Sequence, residues 1–195
     1  MNNTNDKRVL KTFANLRRAF TEYLMDHNFD DLTVNDLCEM ADIRRATFYM
    51  HFKDKMDFTR YVIYSLHKAL GESIQASASE NACPCTFLMQ YVKNGIALMA
   101  SRNNIFANIS ESSAFPTICA LVAECTTESL RNNIEAARAV GLTLPADIDV
   151  TAAFVNAGIT YTVLNWLRKR PPPSPSLYEE LEKLLKKIFE CEKEN

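Results

Sequence analysis

The sequence predicts an all-helical protein, and three observations support that prediction. Apolar residues recur at intervals of three and four along most of the chain, which is the period of an amphipathic helix and not that of a strand. The 195 residues include only 4 glycines, which never form a Gly-x-Gly, so the glycine-rich phosphate loops of nucleotide-binding folds are excluded. A composition of 47% hydrophobic and 24% charged residues is typical of a globular protein with a buried core.

The first elements are a long helix and two short ones. A stripe of apolar side chains predicts a helix of about five turns that ends near residues 27–28, followed by a turn at 29–32. Thr33 then caps a short helix over 34–40, with Asp36 three residues later as the partner in a capping box. A tight turn at 41–43 leads to a second short helix, predicted over 45–52.

Longer helices are predicted in the rest of the chain. A helix over about 56–78 must end before Pro84, because proline can begin a helix but not continue one. The run of prolines at 171–173 ends another helix, and the leucine-rich helix after it is capped by either Ser174 or Ser176. Between these two breaks, the apolar period predicts helices over 86–101, 104–111, 115–140 and 147–170.

The two short helices form a candidate helix-turn-helix, a motif that places its second helix in the major groove of DNA. Phe48 and Phe52 are four residues apart, so they anchor one face of the second helix in a small core. Arginine suits the bidentate recognition of guanine, so Arg44 and Arg45 are the candidates for contacting bases. The side chains left to point toward DNA are Arg44, Arg45, Thr47, Tyr49 and His51.

The segment 32–55 has the sequence LTVNDLCEMADIRRATFYMHFKDK. Its Thr-Phe-Tyr-x-His-Phe run, followed by Lys-x-Lys, resembles the N-terminal domain of TetR-family transcriptional regulators over about residues 8–60. The resemblance implies that Thr33 presents the amino end of its helix to a phosphate. It further implies phosphate contacts by Thr47, Tyr49, His51 and Lys55, and Lys53 is assigned to the same DNA-binding set.

Two positions depart from the family's pattern. Asp42 stands in the turn where the family often has glycine; aspartate tolerates the left-handed backbone better than most residues, so we expect the turn to form. Arg44 stands where the family often has a serine or threonine cap, so Arg44 contacts either a base or a phosphate.

The resemblance also implies a TetR-like architecture of about nine helices, with a helix-turn-helix domain over 1–60 and a helical regulatory domain over 61–195. The second domain would bind an unknown small-molecule effector and dimerise through 147–170 and 177–189. Dimerisation also follows from DNA geometry, because one short helix contacts only a few base pairs. Candidate pocket residues are aromatic or polar: His67, Phe87, Tyr91, Phe106, Phe115, Asn156, Tyr161 and Trp166.

No cofactor, metal site or catalytic constellation is predicted. The pair Cys83 and Cys85 suggests a metal or redox sensor. Zinc sites typically have Cys-x-x-Cys pairs or Cys with His, however, so the sequence favours scattered buried thiols. The chain lacks a secretory signal pattern and a sufficiently apolar span, so we expect a cytoplasmic protein that does not enter a membrane.

The net charge of −2 conceals two basic segments. Residues 1–20 contain five cations and one anion, and residues 42–60 contain five cations and three anions. Together with the helix-turn-helix motif, what the family resemblance implies is a homodimeric regulator that binds double-stranded operator DNA, most simply a ligand-responsive repressor, and not an enzyme; the two basic segments agree with DNA as the partner. The alternative is a co-activator or protein-interaction module of the same fold that needs a partner protein.

Overall fold

The computed structural model describes residues 7–77, 84–101, 103–139, 141–168 and 175–189. Within these residues the chain forms nine α-helices and a 3-10 turn at Phe29–Asp31 and has no strand, so the predicted all-helical class is confirmed. The helices are α1 (Lys7–Asp26), α2 (Val34–Met40), α3 (Arg45–Tyr49), α4 (Lys55–Ser77), α5 (Pro84–Ser101), α6 (Asn103–Ser110), α7 (Phe115–Ala139), α8 (Ile148–Arg168) and α9 (Pro175–Ile188).

Local signals in the sequence set several helix bounds. α2 begins after Thr33, whose hydroxyl oxygen accepts a hydrogen bond from the Asp36 amide while the Asp36 carboxylate accepts one from the Thr33 amide. This reciprocal pair is the predicted capping box. α9 begins at Pro175, the earlier of the two starts that the sequence allows. α3 is shorter than predicted, because Met50 is already its C-cap.

The turn between α2 and α3 depends on Asp42, whose backbone φ of 53° lies in the left-handed region. The Asp42 amide donates to the Glu39 carbonyl at 3.2 Å, and the Ile43 amide donates to the Cys38 carbonyl at 3.0 Å. These two bonds form a Schellman motif, which usually has glycine at the left-handed position. The expected turn therefore forms with aspartate in place of glycine.

The described residues divide into two compact units. The first contains 7–63 and also 103–118, and the second contains the remainder. The sequence assigns everything after residue 60 to a second domain, whereas the structure gives α6 and the turn after it to the first unit. A long-range bond supports this grouping, since the Asn108 side-chain amide donates to the Leu24 carbonyl of α1 at 3.0 Å.

Each unit has its own apolar core. The core of the first unit is built around Leu16, Leu24, Phe29, Phe48 and Phe58, each of which is almost completely buried. The core of the second unit joins α5, α7, α8 and α9, and its most deeply buried side chains are Ile96, Leu130, Ile134, Ala152, Leu185 and Phe189. The exposed and polar side chains of each unit are thereby held at fixed positions on its surface.

The described residues contain neither a single membrane-spanning helix nor a cluster of metal-ligating side chains. No single helix among them is long and apolar enough to cross a membrane. Asn104–Ser110 and Phe115–Ala139, with a bend of 112° between them, have the length and composition of a membrane span only when the two helices are taken together. No group of three or more His, Cys, Asp or Glu side chains in this part of the chain is arranged to hold a metal ion. Cys85 is a buried free thiol, and Cys83 lies outside the described residues.

Candidate nucleic-acid interface

Two phenylalanines fix the orientation of α3. Phe48 is fully buried and Phe52 is 6% exposed, and their ring centroids lie 5.5 Å apart. Both rings also contact Phe58 of α4, at 6.1 Å from Phe48 and 5.1 Å from Phe52. Because one face of α3 is packed against this cluster, the opposite face must point away from the core.

The outward side of α3 and of its two cap residues, Arg44 and Met50, carries the predicted arginines and two apolar residues. Arg44 and Arg45 are exposed, and Tyr49 is 50% exposed. Ala46 is also exposed, and Met50 is 70% exposed. Ala46 and Met50 are not among the predicted contact residues, although the sequence contains a signal for them: each precedes a core phenylalanine by two residues, about 200° around a helix.

Two other predicted contact residues lie partly inside the unit. Thr47 and His51 are half-buried. The His51 ring meets the ring of Phe13 edge to face, with 5.0 Å between centroids. Since Phe13 belongs to α1, this contact sets α1 beside the end of the α3 segment and fixes the place of His51.

Thr33 lies on the surface at the amino end of α2. Its hydroxyl donates to the Asp36 carboxylate at 2.6 Å, so its proton is already committed within the capping box. The bonds from the Thr33 side chain and amide lower the pKa of Asp36 below its usual range. A phosphate approaching Thr33 would therefore meet a neighbouring ionised carboxylate as well as the helix end.

The two lysines of the Lys-x-Lys segment have different surroundings. Lys53 is exposed. The Lys55 ammonium donates to the carbonyls of Phe29 at 2.9 Å, Asp30 at 3.1 Å and Leu32 at 2.7 Å. It also lies 4.7 Å from the centroid of the Phe29 ring, and partial burial lowers its pKa. An ammonium has three donors, and all three here have acceptors inside the chain.

Three polar side chains from three helices meet in the second unit. Two are the predicted pocket residues His67 and Tyr91, and the third is Ser129. His67 of α4 bonds through Nδ1 to the Tyr91 hydroxyl at 2.6 Å and through Nε2 to the Ser129 hydroxyl at 2.7 Å. Burial lowers the pKa of His67, although Glu128 opposes this effect, and burial also raises the pKa of Tyr91. The neutral imidazole therefore serves as donor on one side and acceptor on the other.

The other predicted pocket residues are dispersed. The Phe87 ring stacks on Tyr91 at 6.4 Å between centroids, and Trp166 packs against the core of the second unit. Asn156 is 3% exposed, and its amide donates to the Ala123 carbonyl and the Thr127 hydroxyl, both at 2.8 Å. Tyr161 is 74% exposed. Phe106 and Phe115 contact each other at 6.3 Å and belong to the first unit.

The predicted dimer surfaces carry large apolar side chains that a single chain leaves in solvent. On α8, Val150 is 60% exposed, Phe154 75% and Tyr161 74%. On α9, Leu184 is 58% exposed, whereas Leu181 and Leu185 are buried. On α8 these exposed side chains lie on the opposite side of the helix from its buried residues, so α8 has two apolar faces, whereas Leu184 of α9 lies at the edge of the buried face.

The fold and this site define an all-helical protein with a helix-turn-helix in its first unit, and solved structures share that fold. The fatty acid degradation regulator FadR from Bacillus halodurans matches with a TM-score of 0.64 at 14% identity, covering 89% of this chain and 94% of its own. A TetR-family transcriptional regulator from Haemophilus influenzae gives 0.58 at 13% identity, covering 94% and 98%. A TetR transcriptional regulator from Streptococcus agalactiae gives 0.58 at 17% identity, covering 95% and 97%.

This chain therefore has the fold of TetR-family transcriptional regulators, which confirms the fold that its sequence resemblance predicts. No protein-family model matches the chain. An uncharacterized HTH-type transcriptional regulator from Bacillus subtilis (strain 168), YxbF, is 26% identical over 97 residues, which are 49% of this chain and 24% of that protein. The match thus spans about a quarter of the relative's length.

Proposed function

We propose that this chain is a sequence-specific, DNA-binding transcriptional regulator that acts as a homodimer and releases its operator when a small-molecule effector binds. The observation that carries the proposal is the outward face of α3, where Arg44, Arg45 and Tyr49 are exposed while Phe48 holds the helix in the core. A short helix held rigidly by its inner face is what insertion into a major groove requires.

The charges around α3 support DNA as the partner. The first two-thirds of α1 carries five exposed cations, and α1 adjoins the α3 segment through the contact between Phe13 and His51. Two of the three acidic side chains in residues 42–60 are engaged locally, since the Asp54 carboxylate accepts the Asp57 amide at 2.8 Å and the Asp57 carboxylate accepts the Lys53 amide at 2.9 Å. Lysine and arginine at such positions neutralise phosphates.

Homodimerisation is supported by the exposed apolar face of α8, together with Leu184 of α9. A second copy would cover the same face of its partner in a two-fold arrangement and would set the spacing between two DNA-binding units. We assign Tyr161 to this surface because 74% of it is exposed. Replacing Phe154 with Glu should produce monomers by light scattering, whereas the same change at exposed Leu66 of α4 should not; equal behaviour would refute the assignment.

The effector site is proposed for the second unit, near the contact of His67 with Tyr91. The His67 imidazole and the Tyr91 hydroxyl are polar groups that meet between α4 and α5, and such groups orient small ligands. An effector that binds one dimer geometry more tightly than the other would change the affinity for the operator. We propose no catalytic role for the His67, Tyr91 and Ser129 group.

The test of DNA binding is selection of preferred duplexes from a random pool, followed by salt-dependent affinity measurements. We expect a palindromic preference and an affinity that falls steeply as salt rises. Arg45→Ala should relax the preference at one position of each half-site, while Arg138→Ala, an exposed arginine of α7, should change nothing. The absence of any preferred duplex would refute the proposal and favour an interaction module that needs a partner protein.

A further inference from the structure

Ala46 and Met50 form an exposed apolar ridge on α3. They are four residues apart, so they lie one above the other on the helix surface, next to a second ridge made by Arg45 and Tyr49. Met50 is 70% exposed, the largest exposed fraction of any large apolar side chain described in the first unit. The apolar core of that unit does not use this ridge, because Phe48 and Phe52 face the opposite way.

The surroundings of this ridge match a duplex. Arg44, Arg45 and Lys53 are exposed around it, so any partner that covers the ridge must also accept positive charge at its edges. A major groove has phosphates along both sides and base edges between them. Its apolar feature is the 5-methyl group of thymine, which alanine and other apolar side chains contact directly.

We propose that Ala46 and Met50 are specificity-determining residues that recognise thymine 5-methyl groups in each half-site. This inference rests on the proposed function, in which α3 enters the major groove. The short alanine brings the helix backbone close to the base edges, while the flexible thioether of Met50 can follow the groove to a second methyl group. Arg45, on the neighbouring ridge, remains the candidate for a guanine next to these thymines.

The test replaces each thymine of the selected duplex with uracil, which keeps the base-pairing edge and lacks only the methyl group. With the full-length wild-type protein we expect one or two positions per half-site where uracil weakens binding about fourfold, the value for one lost methyl contact. Met50→Gln keeps the side-chain length but should lose the dependence at one of these positions. Met50→Leu should keep it, and so should the control Met25→Gln, which changes an exposed methionine of α1.

Ala46→Gly should abolish the dependence at the other position, with circular dichroism to verify that the helices remain. If uracil substitution has no effect at any thymine, or if Met50→Gln and Ala46→Gly both retain the full effect, the inference is overturned while sequence-specific DNA binding stands. If no preferred duplex is found, the proposed function itself fails. The two failures are therefore distinguishable.

Discussion

The carboxylate of Asp30 accepts two hydrogen bonds from Ser113, one from its amide at 2.8 Å and one from its hydroxyl at 2.9 Å. Asp30 belongs to the 3-10 turn after α1, and Ser113 belongs to the turn after α6, 83 residues further along the chain. The Asp30 carbonyl in turn accepts a bond from Lys55, the first residue of α4. This chain of contacts connects the turn after α6 to the helix that follows the helix-turn-helix.

Ser113→Ala should lower the melting temperature and make it less sensitive to acid. The variant removes the hydroxyl bond and keeps the amide bond. Both bonds lower the pKa of Asp30, so the contribution of the hydroxyl bond is present above the unfolded value of about 4 and is lost as the pH falls through the lower folded pKa. The difference between wild type and variant should therefore shrink below about pH 4. Ser110→Ala, which removes only a bond within α6, is the control, and a difference independent of pH would contradict the argument.

Lys55→Met should lower the free energy of unfolding and have little effect on the salt dependence of DNA binding. Removing the ammonium takes a donor from three backbone carbonyls, of which that of Phe29 keeps the Leu32 amide, at a cost of about 1–3 kcal/mol in urea denaturation. Lys53→Met, two residues away and exposed, should cost less than about 0.5 kcal/mol but lower the salt slope by about one. The reverse result would indicate that Lys55 contacts a phosphate.

Asp42→Gly should stabilise the first unit, because a residue with a β-carbon is strained at a φ of 53°. We expect a gain of about 0.5–1 kcal/mol, reduced from the full strain because aspartate tolerates this region and glycine increases the entropy of the unfolded chain. Asp42→Ala, which keeps the β-carbon and loses the carboxylate, should not stabilise. Equal gains in stability from both variants would mean that the charge of the Asp42 carboxylate, and not backbone strain, destabilises the wild-type protein.

Tyr91→Phe should destabilise the second unit by about 1–3 kcal/mol, because it leaves Nδ1 of a half-buried His67 without its partner. Tyr49→Phe removes the same hydroxyl from a side chain of the first unit that is 50% exposed and should cost less than about 0.5 kcal/mol. Thermal or chemical denaturation of both variants makes the comparison. Similar small losses would mean that water replaces Tyr91 at His67.

The sequence predicted the parts of this protein that depend on neighbours within four or five residues. The capping box of Thr33 and Asp36 and the left-handed turn at Asp42 are both of this kind. The inward direction of Phe48 and Phe52 follows from helix periodicity alone. For the same reason the exposed positions of Arg44 and Arg45 could be predicted, and those of Ala46 and Met50 were open to the same argument.

Only the tertiary structure decided which distant segments share a core. Ser113 meets Asp30, and Asn108 meets Leu24, across more than 80 residues, so α6 joins the first unit even though its own sequence resembles that of any amphipathic helix. Lys55 is likewise turned toward the carbonyls of the 3-10 turn, 23 to 26 residues earlier in the chain. Helix period and capping are local properties, whereas the partner of a buried face or a charged tip depends on long-range packing, and no local pattern specifies it.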